Sequence, residues 1–216
     1  MEILLACEES QAVTIRMREK GHEAYSCDIL PCSGGHPEWH LQQDVMEAVY
    51  SRYWDFIGLH IPCTAMAVSG NRWYGKNMPK HSERIKAIKW SLKVWSAVKN
   101  QSNRAYMENP VSVLFSHITD MVQYIHPWQF GHGETKKTGL ALYNLPKLEP
   151  TSVVSGREKK IWKMPPSKNR AKLRSKTYEG IAQAMADQWG ELSYNSSYET
   201  TQSEIASSKS GKPDFS

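Results

Sequence analysis

The chain has 216 residues, a formal net charge of +5, 40% hydrophobic residues and four cysteines. That length suits a single α/β domain with a substantial core, and no apolar run reaches the roughly 20 residues of a membrane-spanning helix. The start, MEILLACEES, sets acids around a short apolar run and has no basic leader, so a cytoplasmic protein is expected, its cysteines serving as free thiols, metal ligands or a nucleophile rather than as a disulfide framework.

EILLAC reads as a buried first strand, and QAVTIRMREKG as a helix stopped by Gly21. HEAYSCDI is a second strand that delivers Asp28 at its end, which makes a nucleotide-type strand–helix–strand opening. A loop rich in Gly and Pro runs to Trp39, and LQQDVMEAVYSRY brings Asp44 to a helix start. WDFIGLHI is expected as the third strand, running straight into Pro62-Cys63. SERIKAIKWSLKVWSAVKN spaces Ile85, Ile88, Leu92, Trp95 and Val98 as one helix face, RAYMENP is a strand with Glu108-Asn109-Pro110 at its exit, and YEGIAQAMADQWG is a helix closed by Gly190. Strands alternating with helices predict a mostly parallel sheet covered on both faces. Ligands of such sheets bind beyond the carboxyl ends of the strands, where Asp28, Cys63 and Glu108-Asn109 all fall.

Two Pro-Cys turns compete as a nucleophile. Cys63, in HIPCTAMAVSG, leaves a hydrophobic strand into small residues that give a substrate room, and it needs positive charge or amide donors to become a thiolate; the alternative is a thiol packed as a small hydrophobe. Cys32, in CDILPCSGGHPEWH, lies with Cys27, His36 and His40 within fourteen residues, all of them types that bind zinc; a ligand loop or plain packing is the alternative.

The charge is uneven. Residues 1–150 carry 16 basic against 15 acidic residues, and residues 151–190 carry 9 against 3. All nine lie in GREKKIWKMPPSKNRAKLRSK, where Arg157, Lys159 and Lys160 flank Trp162, a mixture that suits phosphates and an unstacked base, or else a solvated loop. Residues 191–216 are polar and rich in Ser and are expected to be a disordered tail beyond a single domain of residues 1–190.

The order of these segments resembles the cytosine-C5 DNA methyltransferase family, and is most similar to its small phage and prophage members, which share stretches like ACEESQAVTI, LPCSGGHPEWH, WQFGHGETKKT and GREKKIWKMPPS. The resemblance implies a Rossmann-like fold that binds S-adenosyl-L-methionine and transfers its methyl group to carbon 5 of cytosine in DNA. It identifies IPCTAMAVSG with the nucleophile segment, hence Cys63, and MENPVS with the Glu-Asn-Val signature, hence Glu108 at ring nitrogen 3 and Asn109 bracing the Cys63 turn. It also implies that Asp28 binds the cofactor ribose, that Asp44 in QQDV lies on the adenine side, and that Pro62 and Glu8 (or Glu9) complete the cofactor site. The target base must be flipped out or single-stranded for a thiol to reach carbon 6.

The chain departs from the family in four places. ACEESQAV has no glycine where the family's first motif is glycine-rich, and Ile61 replaces the first proline of Pro-Pro-Cys. No Gln-x-Arg-x-Arg segment occurs; GHGETKKTGL takes its place, with Lys136 or Lys137 as thiolate or phosphate partner or as exposed hairpin lysines. About twenty residues separate that segment from GREKKIW, too few for a target-recognition domain, so specificity is expected to come from a protein partner, from the basic segment, or to be nearly missing. Two other functions stay open: a catalytically degenerate fold that binds nucleic acid or a host protein as a counter-defence factor, and an enzyme acting on pyrimidine nucleotides.

Overall fold

The computed structural model describes residues 1–160, 164, 165, 167 and 174–192. Its strands are β1 (Glu2–Ala6), β2 (Glu23–Asp28), β3 (His40–Gln42), β4 (Trp54–His60), β5 (Ser102–Pro110), β6 (Met121–Ile125) and β7 (Thr138–Tyr143). The helices are α1 (Ala12–Glu19), α2 (Val45–Tyr50), α3 (Asn71–Tyr74), α4 (His81–Asn100) and α5 (Glu179–Trp189). Among the described residues the strands form one sheet, ordered β3-β2-β1-β4-β5-β7-β6. β1 to β5 pair in parallel, and β7 is inserted antiparallel between β5 and β6.

The fold is α/β, with a mixed, mostly parallel sheet and helices on both faces. The near-continuous apolar run of β1 follows from burial on both sides. Leu4 and Ala6 join Ile57, Leu59 and the inner faces of α2 and α4; Ile3 and Leu5 join Phe56, Val13 of α1 and Ile181 and Trp189 of α5. Strand order reverses at β1, between β2 and β4, so the ligand crevice of such a sheet opens at their carboxyl ends. No helix among the described residues is long and apolar enough to cross a membrane.

Several expectations change in detail. WDFIGLHI is the fourth strand, because His40–Gln42 forms an additional short strand beside β2; the helix that follows starts at Val45 with Asp44 as its cap, as expected. The buried side of α4 is Arg84, Ile88, Ser91, Val94, Trp95 and Val98, while Ile85 is 40% exposed. Gly21 does end α1 with a left-handed φ of 82°. Gly190 serves differently: its φ is −69°, and a Cβ there would lie 2.3 Å from the Ala186 carbonyl oxygen and 2.9 Å from His22 Nε2. Thr138 to Leu140 of the supposed hairpin are buried in β7. Trp162 and residues 193–216, most of the expected polar tail, lie outside the described residues.

Candidate active site

β4 and β5 run parallel with His60 opposite Glu108. The chain then leaves β4 through buried Ile61, exposed Pro62 and partly exposed Cys63. The Cys63 carbonyl accepts from the Met66 and Ala67 amides at 3.0 and 2.8 Å, which makes the turn. This turn is stitched to the chain after β5: Val68 N donates to Val111 O, Val113 N to Met66 O, and the Ser112 hydroxyl to Met66 O at 3.2 Å. From α4, buried Arg84 donates to Ala65 O at 2.7 Å, Ala67 O at 3.3 Å and Asn71 Oδ1 at 2.8 Å. Asn109, fully buried, donates from Nδ2 to Ile61 O at 3.3 Å, and its Oδ1 has no hydrogen-bond partner among the described residues.

The charges around this turn are coupled. Burial raises the Cys63 thiol pKa and the Glu108 carboxylate raises it further, while Lys136 and Arg174 oppose the rise. Burial also raises Glu108, against the pull of Lys136. Lys136 enters from the segment before β7, with its ammonium 5.7 Å from the Tyr178 ring, and a small pocket between β7 and α5 is lined by Glu108, Lys136, Thr138, Tyr178, Ile181 and Met185. Lys136 therefore favours both the thiolate and the carboxylate by Coulomb attraction. Lys137 is exposed instead, 4.5 Å from the Tyr124 ring.

Sequence reasoning missed His60 and Tyr106. Their side chains meet at 2.7 Å, Nε2 to hydroxyl, and His60 Nδ1 lies 4.0 Å from Glu108 Oε2. Burial, with Lys136 adding repulsion, pushes His60 down to about 4, so its imidazole is neutral at pH 7. Burial and the charges of Glu8 and Glu108 raise the Tyr106 pKa well above its usual range, so its hydroxyl stays protonated and bonds to Nε2 in either tautomer of the ring. The signals were thin: a histidine heading HIPC, and a tyrosine two residues before Glu108, hence on the same face of β5.

On the other side of the switch point, the glycine-free loop after β1 makes its bends with Cys7 at φ 58° and Gln11 at φ 57°. Such left-handed non-glycine residues cost about 1 kcal/mol or more each, and contacts hold them. Gln11 is fully buried; its amide donates to Ser26 Oγ at 3.1 Å and His36 O at 2.8 Å, and its oxygen accepts from His36 N. Gly34 sits so close that a Cβ would meet Gln11 Cβ at 2.6 Å. Glu8 is 3% exposed and faces helix α1: Oε1 accepts from Val13 N at 2.7 Å, and Oε2 from Thr14 N and the Thr14 hydroxyl at 3.2 and 2.7 Å. Burial still raises its pKa to about 7.

Asp28 ends β2 and accepts at Oδ1 from Leu30 N at 2.9 Å, beside exposed Ile29 and Leu30. Asp44, exposed, caps α2 by accepting from Met46 N at 2.7 Å. Both acids lie near enough to Cys7 to add to the burial that drives its thiol pKa far up.

Cys27, Cys32, His36 and His40 do not form a ligand set, and no group of three or more potential metal ligands occurs among the described residues. Cys27 is buried with its thiol toward Gln43 O at 3.5 Å; His40 uses one ring nitrogen on Ser26 Oγ and the other on Leu30 O; the His36 ring stacks on Trp39 at 3.9 Å. Of the basic segment, the Arg157 guanidinium lies 3.8 Å from the Trp128 ring, Lys160 is 3.6 Å from both Glu134 and Glu158, and Lys159 is exposed. No protein-family model matches this chain, and no curated protein matches it.

Proposed function

We propose that the chain transfers a methyl group from S-adenosyl-L-methionine to carbon 5 of cytosine in DNA, with Cys63 as the nucleophile. The observation that carries this reading is the placement of Cys63 and Glu108 at the ends of adjacent parallel strands, electrostatically coupled, with Asn109 bonded to the segment that bears the thiol. The sheet order supports it as well. It is the nucleotide-binding order 3-2-1-4-5-6 with one antiparallel strand inserted.

The fit to the cofactor is good at its adenosine end. Asp28 offers a carboxylate at the strand end with one oxygen beyond its Leu30 bond, and exposed Ile29 and Leu30 offer apolar surface for a ring. Glu8 spends bonds from both its oxygens on α1, so less of its carboxylate is left for the amino group of the methionine end. When bound, the cofactor supplies an electrophilic methyl group.

The remaining steps belong to the protein. Cys63 as thiolate adds to carbon 6, and the displaced electron pair makes carbon 5 nucleophilic; once carbon 5 has taken the methyl group, loss of its proton to solvent restores the ring double bond and expels the thiolate. Glu108, its pKa raised by burial, is the group that supplies a proton to ring nitrogen 3, with the neutral His60 ring 4.0 Å away. A protonated Glu108 no longer repels the thiolate, which leaves burial as the main cost of ionising Cys63. Incubation with methyl-labelled cofactor and mixed-sequence DNA tests the reading: label enters DNA with the native chain and not with Cys63→Ala.

A second reading, a non-catalytic nucleic-acid or host-protein binder, draws on the commitment of Glu8 to α1. Calorimetric binding of the cofactor that weakens in Asp28→Ala would count against it.

A further inference from the structure

Between Asp55 and Glu108 the chain carries nine lysines and arginines and a single acid, Glu83. Three of the nine have internal work: Arg84 on the Cys63 turn, Lys99 on Asp120 at 3.0 Å, and Arg104 on Leu192 O at 2.8 Å. The other six (Arg72, Lys76, Lys80, Lys86, Lys89 and Lys93) are all exposed. Lys80, 3.8 Å from Glu83, is the one of them with a carboxylate within 4.0 Å among the described residues.

On α4, Lys86, Lys89 and Lys93 are spaced i, i+3 and i+7, and this row points directly away from the buried side formed by Ile88, Ser91 and Trp95. A solvated helix face ordinarily alternates its charges, since like charges at i, i+3 and i+4 destabilise it. Here the repulsion is left uncompensated. Trp90, 37% exposed, stands beside the row, and Trp73, 53% exposed with the Arg72 guanidinium 5.4 Å from its ring, stands at the end nearer the Cys63 turn. That end is fixed: Arg84 ties α4 to the turn, His81 Nδ1 lies 3.1 Å from Tyr74 O, and Lys80 N donates to Trp73 O.

We infer that this surface, from Arg72 and Trp73 through Lys76 and Lys80 and along Lys86, Lys89 and Lys93, is a track for the phosphate backbone of a nucleic acid whose target base lies at Cys63. From Lys80 to Lys93 the helix advances about 20 Å, long enough for several phosphates, and the exposed tryptophans suit unpaired bases. The identity of the strand at Cys63 rests on the cytosine reading above; the charge arrangement does not. The track also takes up work that a separate recognition domain would do, though it reads backbone rather than sequence.

Fluorescence anisotropy of the full chain with labelled single-stranded and duplex oligonucleotides, from 50 to 200 mM salt, tests the track without cofactor or turnover. The native chain binds at least one form with a steep salt dependence. The triple variant Lys86→Gln/Lys89→Gln/Lys93→Gln, which keeps helix propensity, binds at least about tenfold more weakly and loses roughly two to three from the salt slope, with an unchanged circular dichroism spectrum. Lys147→Gln, an exposed lysine after β7, binds as the native chain does. Unaltered binding by the triple variant, no binding by the native chain, or tighter binding to anionic lipid vesicles than to both oligonucleotides overturns the track. Loss of label transfer with oligonucleotide binding intact would overturn the cytosine reading and leave the track standing.

Discussion

Asn109 donates its side-chain amide to the Ile61 carbonyl at 3.3 Å, so the end of β5 holds the exit of β4 two residues before Cys63. The bond is buried, with Asn109 fully enclosed and Ile61 4% exposed. Asn109→Ala should cost about 1–3 kcal/mol of stability, the usual penalty for stranding a buried carbonyl. It should also free the Cys63 turn, read as faster alkylation of Cys63 in a variant whose other cysteines are replaced. An alkylation rate equal to that of the native turn would show that the stitching to Val111–Val113 suffices alone.

Cys63 should ionise above the ordinary thiol range in the free protein, because burial and Glu108 both raise it. Its alkylation rate against pH will place the midpoint. Glu108→Gln removes the repelling carboxylate and should lower the midpoint; Lys136→Ala removes an attracting cation and should raise it. Shifts in the opposite directions would break the coupling on which the mechanism depends.

Two buried groups should oppose each other in the pH dependence of stability. Glu8, raised to about 7, binds more protons folded than unfolded, so its contribution falls as pH rises from about 4.5 to about 7. His60, lowered to about 4, binds fewer protons folded, so its contribution grows as pH rises from about 4 to about 6.5. Each amounts to about 3 kcal/mol. Denaturant titrations at several pH values should therefore show little net slope from this pair in the native chain. Glu8→Gln should uncover a rise between pH 4 and 6.5, and His60→Asn a fall between pH 4.5 and 7.

Arg84 is a buried cation held by three neutral oxygens, with no carboxylate partner among them. Arg84→Ala should destabilise by about 2–4 kcal/mol and expose residues 64–71 to proteolysis. Lysine should not rescue it, since one ammonium cannot span Ala65, Ala67 and Asn71 as the planar fork does. Limited proteolysis of both variants decides the point.

The alternation of apolar runs and helical spacing made β1, α1, β2, β4 and β5 legible, and with them the shared edge where Asp28, Cys63 and Glu108 lie. β6 was not, because Met121 and Tyr124 of this edge strand are exposed and the strand lacks a clean two-residue period. β7 was hidden by its antiparallel insertion, which no local pattern encodes. The His60–Tyr106 contact depends on the register of β4 against β5, a property of two distant segments and not of either one. The lysines of α4 escaped notice for a simpler reason: averaged over residues 1–150, the charge is nearly zero.

Arg84 gives the molecule a lever. Its guanidinium grips the turn beyond Cys63 while its backbone belongs to the first turn of α4, so neither can slide without the other. A nucleic acid lying on the inferred track would therefore press on the same 20-residue rod that holds the Cys63 turn in place. One guanidinium thus joins the helix that carries the lysines to the turn that carries the sulfur.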